Sequence, residues 1–217
     1  MLGPLHVALA IGPLAVYLFV LGLLNLSRRP VLTTGGRDLF ALGLALSGFF
    51  VIGPLDLFMP LAAAMHFGVL IWPLLLGLYV LILLLIVLIS RPRLVSYNIL
   101  PGEMRVILQR MIDRLGLQHT WAGNSLSLPT WGIELHMTTF LLMRNVSLSA
   151  TGARQSFQGW RWLSRELDRE LSQVEVPPNS IGMTFLTFSL LMLGGLILRL
   201  LQNPSEVARS LIELLRL

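Results

Sequence analysis

Four stretches of mostly apolar residues limit what this chain can become, because about twenty such residues are what a helix needs to cross a bilayer. They run from about Leu5 to Leu26, Leu39 to Phe58, Leu61 to Ser90 and Ile181 to Leu201. The first has neither a basic start nor a small-residue cleavage site, so it reads as a span and not as a signal peptide. The third is longer than a straight crossing requires. It is either one tilted helix or a re-entrant piece followed by a span. Composition points the same way: of 217 residues, 55% are apolar and only 12% charged, with a mean hydropathy of +0.77. A water-soluble domain carries roughly a quarter charged residues. Cysteine is absent, which removes disulfide scaffolds and thiol chemistry.

The basic residues orient these spans. All sixteen are arginine, and the formal net charge is +5. Such a balance can mark a nucleic-acid binder, but here the arginines gather in the short connections between apolar stretches. Arg28, Arg29 and Arg37 follow the first stretch, and Arg91 and Arg93 follow the third. By the positive-inside rule the N-terminus lies outside and residues 91–180 lie in the cytoplasm. The setting expected is a multi-pass protein of a bacterial inner membrane, with no nucleic-acid partner. Gly-Pro-Leu recurs at Gly3, Gly12 and Gly53, and interior prolines kink helices by freeing a carbonyl. Small residues four apart (Ala8 and Gly12, Ala41 and Ala45, Gly43 and Ser47) allow close helix contact, as does Gly194-Gly195. Residues 204–217 read as an amphipathic tail with Val207, Leu211, Leu214 and Leu215 on one face.

Residues 91–180 change character and read as a small α+β module, two helices on one face of a four- or five-stranded antiparallel sheet. Arg93 to Ile99 suggests a short strand. Pro101 opens a helix with Glu103 in its first turn, and Gly116 stops it. Alternation then places Leu117, His119 and Trp121 on one face. Gly123-Asn124 offers a two-residue turn to Leu126 and Leu128. Ile133, Leu135 and Met137 alternate with Glu134, His136 and Thr138, and Leu142, Val146, Leu148 and Ala150 alternate with polar neighbours. A closing helix from about Ser156 to Val174 carries the apolar stripe Phe157, Trp160, Leu163, Leu167 and Leu171. Glu175 to Ser180, with Pro177-Pro178, is a stiff leash into the fourth span. The whole is a membrane protein, mainly α, with four transmembrane helices (1–90 and 181–203), the inserted module and the tail.

Few residues suggest chemistry. His6, Asp56 and His66 are titratable groups in or near the apolar region, all toward the outer side, and such groups are functional candidates by default for a proton or ion site. Their place near the interface, where ionisation costs little, is the plainer account. Glu134 and His136 share an exposed strand face with Thr138, and acid with imidazole can ligate a metal or move protons. No third ligand follows at a recognisable spacing, so neither a metal nor a cofactor is expected, and solvated strand polars are the better reading. His119 reads as a satisfied core histidine. Trp131 and Trp162, with the row Arg161, Arg165 and Arg169, suit a membrane surface or a protein partner. Asn25-Leu26-Ser27 and Asn145-Val146-Ser147 match the glycosylation pattern on the wrong side of the membrane and are discounted.

The expected function is that of a non-catalytic subunit or scaffold holding an interaction module at the bilayer, with a protein partner or a second copy of itself. The alternative is a small oligomeric transporter or proton-conducting protein using Asp56, His66 and His6. A lipid-directed enzyme built on Glu134 and His136 is the weakest of the three, since no catalytic constellation accompanies them.

Overall fold

Leucine-rich segments with no polar face become the longest helices of the chain. The computed structural model describes residues 3–55, 70–152 and 155–216. It contains α1 (Pro4–Leu26), α2 (Gly35–Phe50), α3 (Ile71–Ile89), α4 (Pro101–Leu115), α5 (Phe157–Ser172), α6 (Ile181–Gln202) and α7 (Pro204–Arg216). The strands are β1 (Val31–Thr34), β2 (Arg93–Tyr97), β3 (Thr120–Ala122), β4 (Ser125–Leu128), β5 (Ile133–Phe140) and β6 (Asn145–Ala150). Three helices, Pro4–Leu26, Gly35–Gly53 with its terminal π-type turn, and Ile181–Gln202, are long and apolar enough to cross a membrane. The apolar α3 has 19 residues, about 28 Å of helix. Asp56 and His66 lie outside the described residues, as does the start of the third apolar stretch.

The chain divides into two compact units. The first comprises Met1–Val20, Leu39–Leu88 and Phe185–Leu217. Glycines set its helix packing. A Cβ on Gly48 would fall 2.0 Å from the Leu9 carbonyl oxygen, and one on Gly43 would fall 2.6 Å from Leu83 Cδ2. The Tyr79 hydroxyl donates to the Gly43 carbonyl at 2.7 Å, and its ring stacks on Phe50 at 4.5 Å. Gly12, Gly194 and Gly195, expected to serve the same end, have no heavy atom within 4 Å of a Cβ position among the described residues.

The second unit comprises Leu21–Asp38 and Ile89–Thr184. Its sheet has six strands in the order β1-β2-β6-β5-β4-β3, all neighbours antiparallel. The sequence reading allowed four or five, because β1 lies in the short arginine-rich connection that reads as a loop. Val31 pairs with Tyr97 and Thr34 with Leu94, and Leu32 packs against the core. With β1 as the edge, β2 becomes an inner strand with Leu94, Val95, Ser96 and Tyr97 all buried. On its second face the Tyr97 hydroxyl donates to Asp38 in the first turn of α2, and Arg93 joins the same carboxylate at 3.2 Å. An acid there also suits the helix dipole.

One face of the sheet carries the core. Leu126, Leu128, Ile133, Leu135, Met137, Val146 and Leu148 meet Met104, Leu108, Met111 and Ile112 of α4 and Trp160, Leu163, Leu167 and Leu171 of α5. The ends of α4 follow their sequence signals. Pro101 is its first residue, Glu103 accepts from the Leu100 amide at 3.1 Å, and Gly116 takes φ 61° beyond the last turn. Gly123, with φ 61°, is the first central residue of the β3–β4 turn, the position where a II′ hairpin demands glycine. Three expectations fail locally. His119 is exposed, because β3 begins only at Thr120. Leu142 belongs to a 3-10 turn between β5 and β6 and stands exposed, and Phe157, in the first turn of α5, does the same. The close contact of that turn is made by Gly159, where a Cβ would sit 2.2 Å from the Trp131 carbonyl oxygen.

At one end of this unit the chain returns repeatedly to a group of asparagines. Asn179 Nδ2 donates to Asn25 Oδ1 at 3.4 Å and to the Leu142 carbonyl at 3.3 Å, while Asn179 Oδ1 accepts from the Ile181 amide at 3.2 Å. The Asn179 amide donates to the Asn25 carbonyl at 2.9 Å. Asn98 Nδ2 donates to the Ser27 carbonyl, and the Val176 amide to that of Arg28. Asn25, Asn98 and Asn179 are all buried. Gly182 allows the approach, its Cβ position lying 2.8 Å from the Gly22 carbonyl oxygen. The end of α1, the start of α6 and the β5–β6 hairpin are thereby joined.

Replacing Asn179 by Ala leaves buried acceptors unpaired and is expected to cost about 2 to 3 kcal/mol. Thermal unfolding of the full chain in detergent checks this, with the exposed Ser180→Ala as a control expected to be neutral. Gly159→Ala is expected to lose about 1 to 3 kcal/mol through overpacking against Trp131. A Gly159→Ala protein as stable as the parent would show that the helix can lift off at no cost.

Candidate functional site

The two ends of β5 differ sharply in what they display. An eight-residue strand rises about 24 Å from Ile133 to Phe140. Its Phe140 end is the asparagine-bound end. At its Ile133 end the chain before the strand forms a 3-10 turn (Pro129–Trp131), and α5 begins. Local signals build this corner. Gly132 takes φ 63° after the turn, its carbonyl accepts from the Ser156 amide at 2.9 Å, and Ser156 caps α5 by accepting from the Gly159 amide at 3.1 Å. Trp160 turns inward, its indole N–H donating to Gln155 Oε1 at 2.9 Å. Trp162 turns outward and meets Trp131 at 6.3 Å between ring centroids, tilted by 55°. That geometry is favourable for an aromatic pair. Trp162 is 40% exposed and Phe157, one and a half turns earlier, 74%.

The arginine row follows on the same helix. Arg161, Arg165 and Arg169 are all exposed. Arg169 reaches Glu166 at 3.4 Å, whereas Arg161 and Arg165 have no ion pair among the described residues. Two of the three acids of the helix are taken from elsewhere: Arg114 of α4 bridges Glu166 and Glu170, both at 2.9 Å. The inter-helix bridge was hidden because Arg114 lies 52 positions before Glu166. Arg161 and Arg165, which flank Trp162 in sequence, thus have no ion pair among the described residues, while Glu166 and Glu170 are held by Arg114.

The remaining candidates are dispersed. Glu134 and His136 stand exposed on the uncovered sheet face. His136 Nδ1 lies 2.9 Å from Ser125 Oγ across the strand pair, and Glu134 lies close to Gly152, whose Cβ position is 2.6 Å from Glu134 Oε2. An acid, an imidazole and a hydroxyl on an open sheet lack the enclosure that acid–base chemistry uses. His119 lies 3.3 Å from Gln109 Nε2 and 3.3 Å from the Leu117 carbonyl. His6 lies in α1, its Nδ1 buried without a hydrogen-bond partner among the described residues. No group of three or more His, Asp or Glu able to hold a metal ion occurs among the described residues. The arrangement best organised on this unit is the aromatic and arginine corner. Comparison with protein-family models, with curated proteins and with solved structures gives no match for this chain.

The Arg114 bridge gives a test of how α4 and α5 are held. Arg114→Ala leaves Glu170, which is buried, without its partner, and the expected loss is on the order of 1 kcal/mol because the arginine end is solvated. Arg169→Ala, on the outer rim, is expected to change thermal stability by less than about 0.5 kcal/mol. Equal losses in the two variants would contradict the bridge.

Proposed function

We propose that the chain is a multi-pass membrane protein whose helices anchor the six-stranded unit at the bilayer, and that this unit binds a protein partner as a non-catalytic subunit or scaffold. The observation that carries the reading is the Trp131–Trp162 pair with exposed Arg161 and Arg165, which have no ion pair among the described residues. Exposed tryptophan beside arginine is the composition of interface hot spots. The partner surface that fits would offer an apolar pocket rimmed by acidic side chains.

The anchoring half of the proposal rests on apolarity and on connectivity. The end of α1, the start of α2, the end of α3 and the start of α6 all fall within the second unit. If those helices span, all four ends emerge on one side. Arg28, Arg29, Arg37, Arg91 and Arg93 lie at the same ends, and by the positive-inside rule they support the cytoplasm as that side.

The test is to extract the full chain gently from its own membrane and weigh the intact complex. Companion chains in fixed ratio are expected. Trp162→Ser combined with Arg165→Glu should weaken the association by ten- to a hundredfold, on the order of what one hot-spot pair contributes, while thermal unfolding of the chain stays unchanged. A lone monomer would overturn the proposal. A complex indifferent to both substitutions would leave the subunit role standing and remove the corner from it.

A further inference from the structure

The β5–β6 hairpin ends in three consecutive large apolar residues that nothing in the second unit covers. Phe140, Leu141 and Leu142 are 56%, 68% and 65% exposed. In the sequence Leu142 reads as part of an alternating strand. In the structure β5 ends at Phe140, residues 141–143 make a 3-10 turn, and Arg144 takes φ 47° to start the return. A left-handed conformation at a non-glycine residue is costly, and it persists where the surroundings hold it. Here the Arg144 carbonyl accepts from the Ile99 amide at 2.7 Å and its guanidinium donates to the Pro177 carbonyl at 3.0 Å. The apolar tip is held in a set position.

That position is fixed by Asn179. Its side chain donates to the Leu142 carbonyl, to Asn25 near the end of α1, and accepts from the first amide of α6. The 22 residues of α6 make about 33 Å of helix, close to the roughly 30 Å of bilayer hydrocarbon. A helix of that length filling the hydrocarbon puts Ile181 at its edge and Asn179 among the headgroups. A carbonyl within 3.3 Å of Asn179 lies at the same depth. Exposed Arg28 and Arg29, whose connection is tied to the same end through the Val176 amide, suit anionic headgroups there.

The geometry points to a lipid-contacting hairpin: Phe140, Leu141 and Leu142 enter the headgroup and acyl boundary of an anionic bilayer beside the ends of α1 and α6. This inference rests on the membrane-anchored reading given above. It adds a second, non-helical attachment of the unit to the membrane, of the kind amphipathic segments make at an interface.

The chain has no cysteine, so single cysteines can be labelled cleanly. Full-length Leu141→Cys, Asp168→Cys and Leu191→Cys proteins would each carry an environment-sensitive fluorophore and be reconstituted into vesicles of mixed zwitterionic and anionic phospholipid. Quenching would be read with a headgroup-depth nitroxide lipid, an acyl-chain nitroxide lipid and aqueous iodide. The Leu141 label is expected to be quenched severalfold more by the headgroup-depth lipid than by iodide, with the Asp168 label the reverse. Strong iodide quenching at Leu141, with the Leu191 label quenched by acyl-chain lipid, would overturn the hairpin contact and leave the anchoring intact. Protection at Leu141 from all three quenchers would mean a protein surface covers the tip, a second copy or a partner, and would also overturn it. A Leu191 label insensitive to the acyl-chain lipid would overturn the anchoring itself.

Discussion

One buried amide, Asn179, joins the end of α1, the start of α6 and the β5–β6 hairpin. Asn179 uses its side-chain donor and acceptor, together with its backbone amide, to reach Asn25, Leu142 and Ile181. Hydrogen bonds of this kind are modest in net energy but costly to leave unmade once the groups are buried. They are also directional, so they fix the register of α1 against the start of α6 where apolar packing alone would tolerate sliding. Gly182 lets the two backbones come close enough for the amides to meet. Asn98 and Arg144 accept left-handed backbone conformations at the same place, and both are held by bonds to neighbouring segments. Asparagine tolerates that conformation better than other side chains, which accounts for one of the two.

From this fixed end the sheet extends as a lever with dissimilar ends. Because α4 and α5 cover only one face, the other face is left to short polar side chains such as Ser125, Ser127, Thr138 and Ser149. Uncovered apolar side chains stand at both ends of β5, and others, Leu100, Val106 and Leu115, on and beside α4. One end carries the apolar tip Phe140-Leu141-Leu142 beside the helix termini, the other a tryptophan pair with arginines that have no ion pair among the described residues. Side chains with no polar atoms suit a fluid environment without fixed partners. Tryptophan with arginine suits a specific surface, where stacking and ion pairing reward exact placement.

Sequence periodicity reached much of this. The long helices are legible because a lipid-like run of leucine has few soluble alternatives. The alternation of Ile133, Leu135 and Met137 placed them correctly in the core, since a strand with one covered face writes its period into the residues. What escaped was short or non-local. Val31 to Thr34 is too brief to show a period and sits between arginines, so only its pairing with β2 makes it a strand. Leu142 and Phe157 continue apolar patterns past the point where the covering layer stops, and periodicity carries no signal for that edge. Asn25 and Asn179 are 154 residues apart and look like ordinary boundary polars. Nothing in either local sequence announces the other.

The edge strand has a bearing on how the protein is made. β1 lies between α1 and α2, while its partner β2 begins about sixty residues later in the chain, beyond two further apolar helices. At typical synthesis rates that interval lasts roughly 3 to 12 seconds. Through it β1 waits with its ladder groups open, an edge with no sheet. β2 in turn needs β6, still farther along, for its other side. The sheet therefore closes only after most of the chain has emerged, and its closure records that α2 and α3 have already been placed.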